Sequence, residues 1–149
     1  KWKNGKQHGR GEVTYANKDT ITGMWNELKI LEGHGAYTYK NGRYEGHWRD
    51  DKENGRGKMT YTNGDIYDGE WKDGRVRGHG TLTFSANGEV IKGVFDRTDT
   101  IKKDNTYLLI CKQDDGTTRV MKKVLGGDFT IIDPIQYDVM FKTYAYNPE

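Results

Sequence analysis

Four pairs of glycines with one residue between them are the first places in this chain where chemistry could reside: Gly9 and Gly11, Gly33 and Gly35, Gly55 and Gly57, Gly78 and Gly80. Bare backbone of this kind can cradle a phosphate where it opens a helix. The residues between the glycines are Arg10, His34, Arg56 and His79, which could add positive charge to a cradle or, for the histidines, nitrogen for a metal. The pairs recur inside strand-like segments, however, so they read as positions of a repeat. Successive units stand two strands apart, which spaces the four side chains about 10 Å from one another and His34 about 19 Å from His79, whereas zinc ligands lie about 2 Å from the ion. Glu45, Asp68 and Glu70 share that face, so cross-strand ion pairs are expected there and not an anion site. No metal and no cofactor is expected.

Other catalytic constellations are missing from the sequence. It has no Gly-x-Ser-x-Gly, no phosphate loop ending in Lys-Ser or Lys-Thr, no His-Glu-x-x-His, and no base dedicated to its single cysteine, Cys111. Cys111 reads as a small buried hydrophobe, and no disulfide can form within the chain. No catalytic residue is named, and an enzyme is not expected. With 24 basic and 22 acidic residues the net charge is +2, without the one-sided positive field of a nucleic-acid binder. No apolar run approaches the roughly 18 residues of a membrane span.

What positions these residues is a repeat. Trp2, Trp25, Trp48 and Trp71 are separated by 23 residues each, and Phe95 follows 24 later. Gly23, Gly46, Gly69 and Gly93 stand two residues before the later aromatics, and Ile21, Tyr44, Tyr67 and Ile91 two before those. Four residues after each second glycine of the pairs comes Tyr15, Tyr39, Tyr61 or Phe84. Asn41-Gly42, Asn63-Gly64 and Asn87-Gly88 mark turns, and Asn17-Lys18 a weaker one. Each unit therefore reads strand, turn, strand, turn. Alternation puts Tyr44, Gly46 and Trp48 on one face with Gly55, Gly57, Met59 and Tyr61, and puts Glu45, His47, Arg49, Arg56 and Lys58 on the other. Glycines in a strand weaken it unless something must come close, so large rings are expected to lie over them. A ring burying about 150 to 250 Å² contributes several kcal/mol, which lets a single layer hold together.

The units Tyr44-Glu45-Gly46-His47-Trp48 with Gly55-Arg56-Gly57, and Tyr67-Asp68-Gly69-Glu70-Trp71 with Gly78-His79-Gly80, resemble the MORN repeat. The resemblance covers residues 1 to about 95. Its departures are Ile21 and Ile91 for the first aromatic, Phe95 for Trp and Lys18 for the turn glycine, as expected of edge units. It implies an elongated single-layer array of hairpins, a twisted open sheet or trough over residues 1–95; the strand-like pattern of 96–149 adds a β-rich cap or docking segment, so the whole chain is expected to be all-β. The chain opens at Lys1 partway through a unit, as expected of a piece of a longer array.

The rhythm fails in two places. The hairpin after Trp25 carries Leu28, Ile30 and Leu31 where its siblings have polar tips, either a landing point for a partner or apolar residues that pack on a neighbouring hairpin. Beyond Asp96 a different pattern begins, with strands expected at 106–111, 117–124, 129–132 and 137–146 and a hairpin turn at Asp114-Asp115-Gly116. This segment either caps the last repeat or forms a separate docking module. The expected function is a non-catalytic scaffold or adaptor that grips a segment of another protein through Tyr44, Trp48, Tyr61, Tyr67 and Trp71, with Leu28, Ile30 and Leu31 as a second surface. What the resemblance implies includes ciliary, cytoskeletal and junctional settings, dimers, and an intracellular location in the cytoplasm or at cytoskeleton or membrane. It leaves two alternatives: a membrane or phosphoinositide-associated module, and a regulatory fragment of a larger enzyme. Nucleic acid is not an expected partner, and alternating charge gives anionic lipid weak support.

Overall fold

The computed structural model describes residues 2–3, 6–27, 29–100, 105–124 and 127–132, with side chains from residue 9 onward. Every regular element among them is a β-strand: β1 (Trp2–Lys3), β2 (Lys6–Thr14), β3 (Thr20–Asn26), β4 (Lys29–Tyr39), β5 (Gly42–Arg49), β6 (Lys52–Tyr61), β7 (Ile66–Lys72), β8 (Arg75–Thr83), β9 (Val90–Arg97), β10 (Thr106–Gln113), β11 (Thr118–Val124) and β12 (Phe129–Ile132). Neighbours in sequence are neighbours in one open sheet, each antiparallel to the next. The strands expected at 106–111, 117–124 and 129–132 are present, whereas 137–146 lies outside the described residues. The sheet runs unbroken through the change of pattern near residue 95, because Phe95 on β9 pairs with Cys111 on β10.

A row of glycines crosses the strands. Gly35, Gly46, Gly57, Gly69, Gly80 and Gly93 are successive register partners from β4 to β9. A methyl at Gly57 would overlap the hydroxyl and ring of Tyr44, and one at Gly80 would overlap Tyr67. The tyrosines thus lie over bare backbone, as the alternation of ring and glycine predicts. Their hydroxyls donate to the carbonyls of His47 and Glu70, at 2.8 and 2.9 Å, so the buried polar ends are satisfied.

The rings interlock edge to face. Trp48, Tyr44, Trp71, Tyr67 and Phe95 form a continuous chain with centroid separations of 5.1, 5.2, 5.5 and 5.2 Å. Such pairs add about 0.5 to 1.5 kcal/mol beyond burial. Each described indole also reaches back to a glycine carbonyl: Trp25 to Gly11, Trp48 to Gly35 and Trp71 to Gly57, at 3.1, 3.0 and 3.1 Å. Phe95 keeps the ring contact but has no N–H to offer.

The turns explain the spacing. Tyr61 N–H bonds the Asp65 carbonyl across four positions, and Phe84 N–H bonds the Glu89 carbonyl across five, which accounts for the interval of 24 before Phe95. The Trp25 hairpin has a tip of the same length as the Trp48 hairpin but one residue more on β4 before its glycine pair, where the register shifts, and the next connection, in which Tyr39 pairs with Gly42, is one residue shorter. The interval of 23 survives there by compensation.

Finally, the sheet curls strongly. Phe129 on β12 and Tyr61 on β6 are six strands apart, which would separate them by about 29 Å in a flat sheet. Their ring centroids are 5.2 Å apart, and Phe84 on β8 lies 6.4 Å from the same Phe129 ring. The C-terminal hairpins therefore roll over the aromatic face of the repeats, and the core fills the space between.

Candidate partner-binding groove

That curl divides the aromatic trough into two parts. Over β6 to β9 the rings are covered: Tyr107, Leu109, Met121 and Phe129 join Trp71, Phe84 and Phe95 in one buried cluster. The Lys123 ammonium sits 4.8 Å from the Tyr61 ring centre and 4.7 Å from that of Phe129. Over β2 to β5, among the described residues, the trough is open as a groove of about 310 Å³, lined by Tyr15, Ile21, Trp25, Ile30, Tyr37, Tyr39, Trp48 and Asp51. This volume is at the lower end of the range of small-ligand and peptide-anchor sites.

Burial sorts the expected contact residues. Tyr44 and Tyr67 are wholly buried, and Trp48, Trp71 and Tyr61 are 4, 6 and 7% exposed. Tyr44 and Tyr67 are therefore core, whereas Tyr61, under Phe129 and Lys123, and Trp71 are nearly buried and reach only a small cavity beside the C-terminal hairpins. Trp48 is the one of the five that lines the open groove. At the apolar tip, Ile30 takes the second of its two expected roles, packing on the neighbouring hairpin. Ile30 is 2% exposed, its N–H donates to the Asp51 carboxylate at 2.7 Å, and its carbonyl accepts from Asp51 N–H at 2.8 Å, so it is packed and tied to the next hairpin. Leu31 alone of the described pair is exposed, at 38%, and Leu28 lies outside the described residues.

The groove's own rings are half-buried. Tyr15 and Tyr37 meet edge to face at 5.0 Å, and Tyr37 leans on Tyr39 at 4.9 Å. Burial, with Tyr37 and Asp51 nearby, raises the Tyr15 phenol above its ordinary value, so it stays a hydrogen-bond donor. The Tyr39 hydroxyl bonds the Glu53 carboxyl; burial raises both groups. The groove thus offers apolar ring faces with a hydroxyl donor at Tyr15 and a carboxylate at Asp51. Tyr37 carried a signal in the sequence. Its counterparts, two residues after the second glycine, are Val13, Met59 and Leu82, so an aromatic there breaks the pattern on the ring face.

A second feature is legible only in retrospect. Asp19 is 8% exposed and receives hydrogen bonds from Thr38 Oγ1 at 2.5 Å, from Asn17 Nδ2 at 2.9 Å and from Arg43 Nε at 3.1 Å. Those bonds, Thr38 first, outweigh burial and hold its carboxyl below the usual range. Asp65, 46 residues on, accepts from Ser85 N–H at 2.8 Å and from Asn63 Nδ2 at 3.0 Å. Glu89 meets Arg119 at 2.9 Å. Each acidic turn residue therefore clasps the following hairpin, and the signal was an acid two residues after three of the four turn Asn residues, in Asn17-Lys18-Asp19, Asn63-Gly64-Asp65 and Asn87-Gly88-Glu89, with Arg43 after Asn41 as the exception.

The charged face is mixed. Arg56 opposes Glu70, and Lys58 stands between Glu45 and Asp68 in register, as expected of cross-strand opposites. His34 does not stand apart in a basic column, since its ring meets His47 edge on at 5.0 Å. Cys111 is fully buried, and desolvation pushes its thiol up to about 11, which keeps it protonated and unreactive at neutral pH.

Comparison with protein families matches the MORN repeat over residues 1–20, 29–42, 44–66 and 67–89, more than half of the chain. The gap between the first two matched stretches falls on the irregular Trp25 strand and its tip. No curated protein matches the chain. The MORN unit is a non-catalytic repeat module associated generally with protein or membrane binding. With four matched units and the glycine and tryptophan ladder they predict, the chain belongs to the MORN-repeat family.

Proposed function

We propose that the chain is a non-catalytic scaffold that seats an extended segment of another protein in the open half of its aromatic trough, over β2 to β5. The observation that carries this reading is the contrast between the two halves. Where β10 to β12 roll over the rings, the trough is filled by an aromatic and a cation of the chain itself, Phe129 and Lys123. Over β2 to β5, among the described residues, half-buried tyrosines face an open groove. Ring surfaces of this kind supply large contact area at low entropic cost and are enriched at interaction hot spots. The interleaved charges of the opposite face support a protein partner over an anionic membrane, which favours gathered Lys and Arg.

A random peptide library selected on the immobilised full chain tests the reading. Enriched peptides should lose at least tenfold in affinity for Tyr37→Ala and little for Lys58→Ala on the charged face. Enrichment indifferent to Tyr37→Ala overturns it.

A further inference from the structure

A separate cavity of about 180 Å³ lies where the repeats meet the C-terminal hairpins, walled by Tyr39, Glu53, Tyr61, Trp71, Arg97 and Tyr107 among others. An apolar cavity of about 150 Å³ accepts benzene, so this one has room for the end of a long side chain. Its two ends differ. At one end a cation is already in place: the Arg97 guanidinium lies 3.8 Å from the Tyr107 ring centre, and it donates to Thr98 O at 3.3 Å and Thr100 Oγ1 at 2.6 Å. At the other end Glu53 has the Tyr39 hydroxyl as its side-chain partner, and among the described residues no Lys, Arg or His stands within 4.0 Å of its carboxylate. A half-buried carboxylate beside aromatic rings, with no cation, is the arrangement that recognises an ammonium or guanidinium head.

From this geometry we infer that the Glu53 end of the cavity is a binding site for an organic cation, the ammonium or guanidinium of a Lys or Arg side chain. The carboxylate and the Tyr39 hydroxyl would hold the head, and the Tyr61 and Trp71 rings the methylene stem. The chain shows the same pairing elsewhere, with Lys123 lodged over Tyr61 and Phe129. Tyr39 lines both this cavity and the open groove, so a segment lying in the groove is next to the cavity. The inference rests on the scaffold reading for the source of the cation, not for the site itself.

The test uses the full chain with n-butylammonium and n-butylguanidinium as probes, n-butanol as the neutral isostere, and the Trp71 indole and Tyr39 ring resonances as readout. Saturable shifts with either cation, at least tenfold tighter than with n-butanol and weakened at least fivefold by Glu53→Gln, are expected. Tyr39→Phe, which keeps the ring and removes the hydroxyl, should weaken the cations by a smaller factor. Equal response to n-butanol, or an unchanged response in a folded Glu53→Gln chain, overturns the site and leaves a water-filled cavity. Failure of the two readings is separable. Groove peptides that need Tyr37 but carry no Lys or Arg would sink only the cation's assignment to the partner. Cation binding without any peptide capture would sink only the scaffold.

Discussion

The indole N–H of Trp71 donates to the carbonyl of Gly57, 3.1 Å away and 14 residues earlier in the chain. The bond recurs between Trp48 and Gly35 and between Trp25 and Gly11, so the tryptophan serves each unit twice, as a ring in the edge-to-face ladder and as a clasp on the strand before it. The two roles can be separated by substitution. Trp71→Ala should cost about 3 to 5 kcal/mol through lost burial and the cavity left behind. Trp71→Phe keeps the ring contacts and leaves the Gly57 carbonyl without its donor, at about 1 to 3 kcal/mol. Urea unfolding of the two variants measures both; a Trp71→Phe chain as stable as the parent would mean that the hydrogen bond adds nothing, and equal losses would mean that the ring adds nothing.

Gly57→Ala should destabilise by at least about 1 to 3 kcal/mol, the cost of overpacking, because its methyl would displace Tyr44 from the His47 carbonyl. A near-ultraviolet circular dichroism change should accompany the loss, since Tyr44 bridges Trp48 and Trp71. A variant as stable as the parent would contradict the ring-over-glycine packing.

Lys18 holds a left-handed backbone, with φ of 76°, at the turn position that Gly64 and Gly88 occupy in sibling units. A non-glycine residue in that region costs about 1 to 2 kcal/mol, partly returned by glycine's greater freedom when unfolded. Lys18→Gly should therefore raise stability by about 0.5 to 1 kcal/mol, read as a higher melting temperature.

Two carboxyls should give opposite pH slopes. Asp19 is held below its ordinary value, chiefly by Thr38, so its contribution is whole above a pH of about 4 and is lost as acid takes the pH down through its folded value. Asp19→Asn should destabilise at pH 7 and progressively less towards pH 3. Glu53 is raised by burial, so the folded chain favours its neutral form; that contribution is present below its unfolded value of about 4.3 and is lost as pH rises through the folded value. Glu53→Gln should accordingly raise the melting temperature at pH 7 and leave it unchanged near pH 4. Parallel pH profiles for the two variants would contradict the assignment.

Much of the architecture was legible because the repeat is a local code. Tyr44, Gly46 and Trp48 declare a strand, its buried face and its neighbour at once, and the register of Gly46 with Gly57 follows. The site was less legible for a physical reason. Position in a strand tells which face a side chain takes, not what lies over that face, and the roll of β10 to β12 that buries Tyr61 beneath Phe129 depends on long-range curl. Between the two roles open to Ile30, sequence could not choose, since its Asp51 partner lies 21 residues away across a hairpin. Tyr37, by contrast, was visible as an aromatic where the other units carry Val, Met and Leu.

The central claim is that a partner segment rests in the open half of the trough. The most direct measurement is a nuclear magnetic resonance footprint of a library-selected peptide bound to the full chain. The account predicts that the largest shifts fall on Tyr15, Trp25, Tyr37 and Tyr39, with Arg56, Lys58 and Lys92 on the charged face unmoved. Shifts gathered on that charged face or around Leu31, with Tyr37 silent, would contradict it.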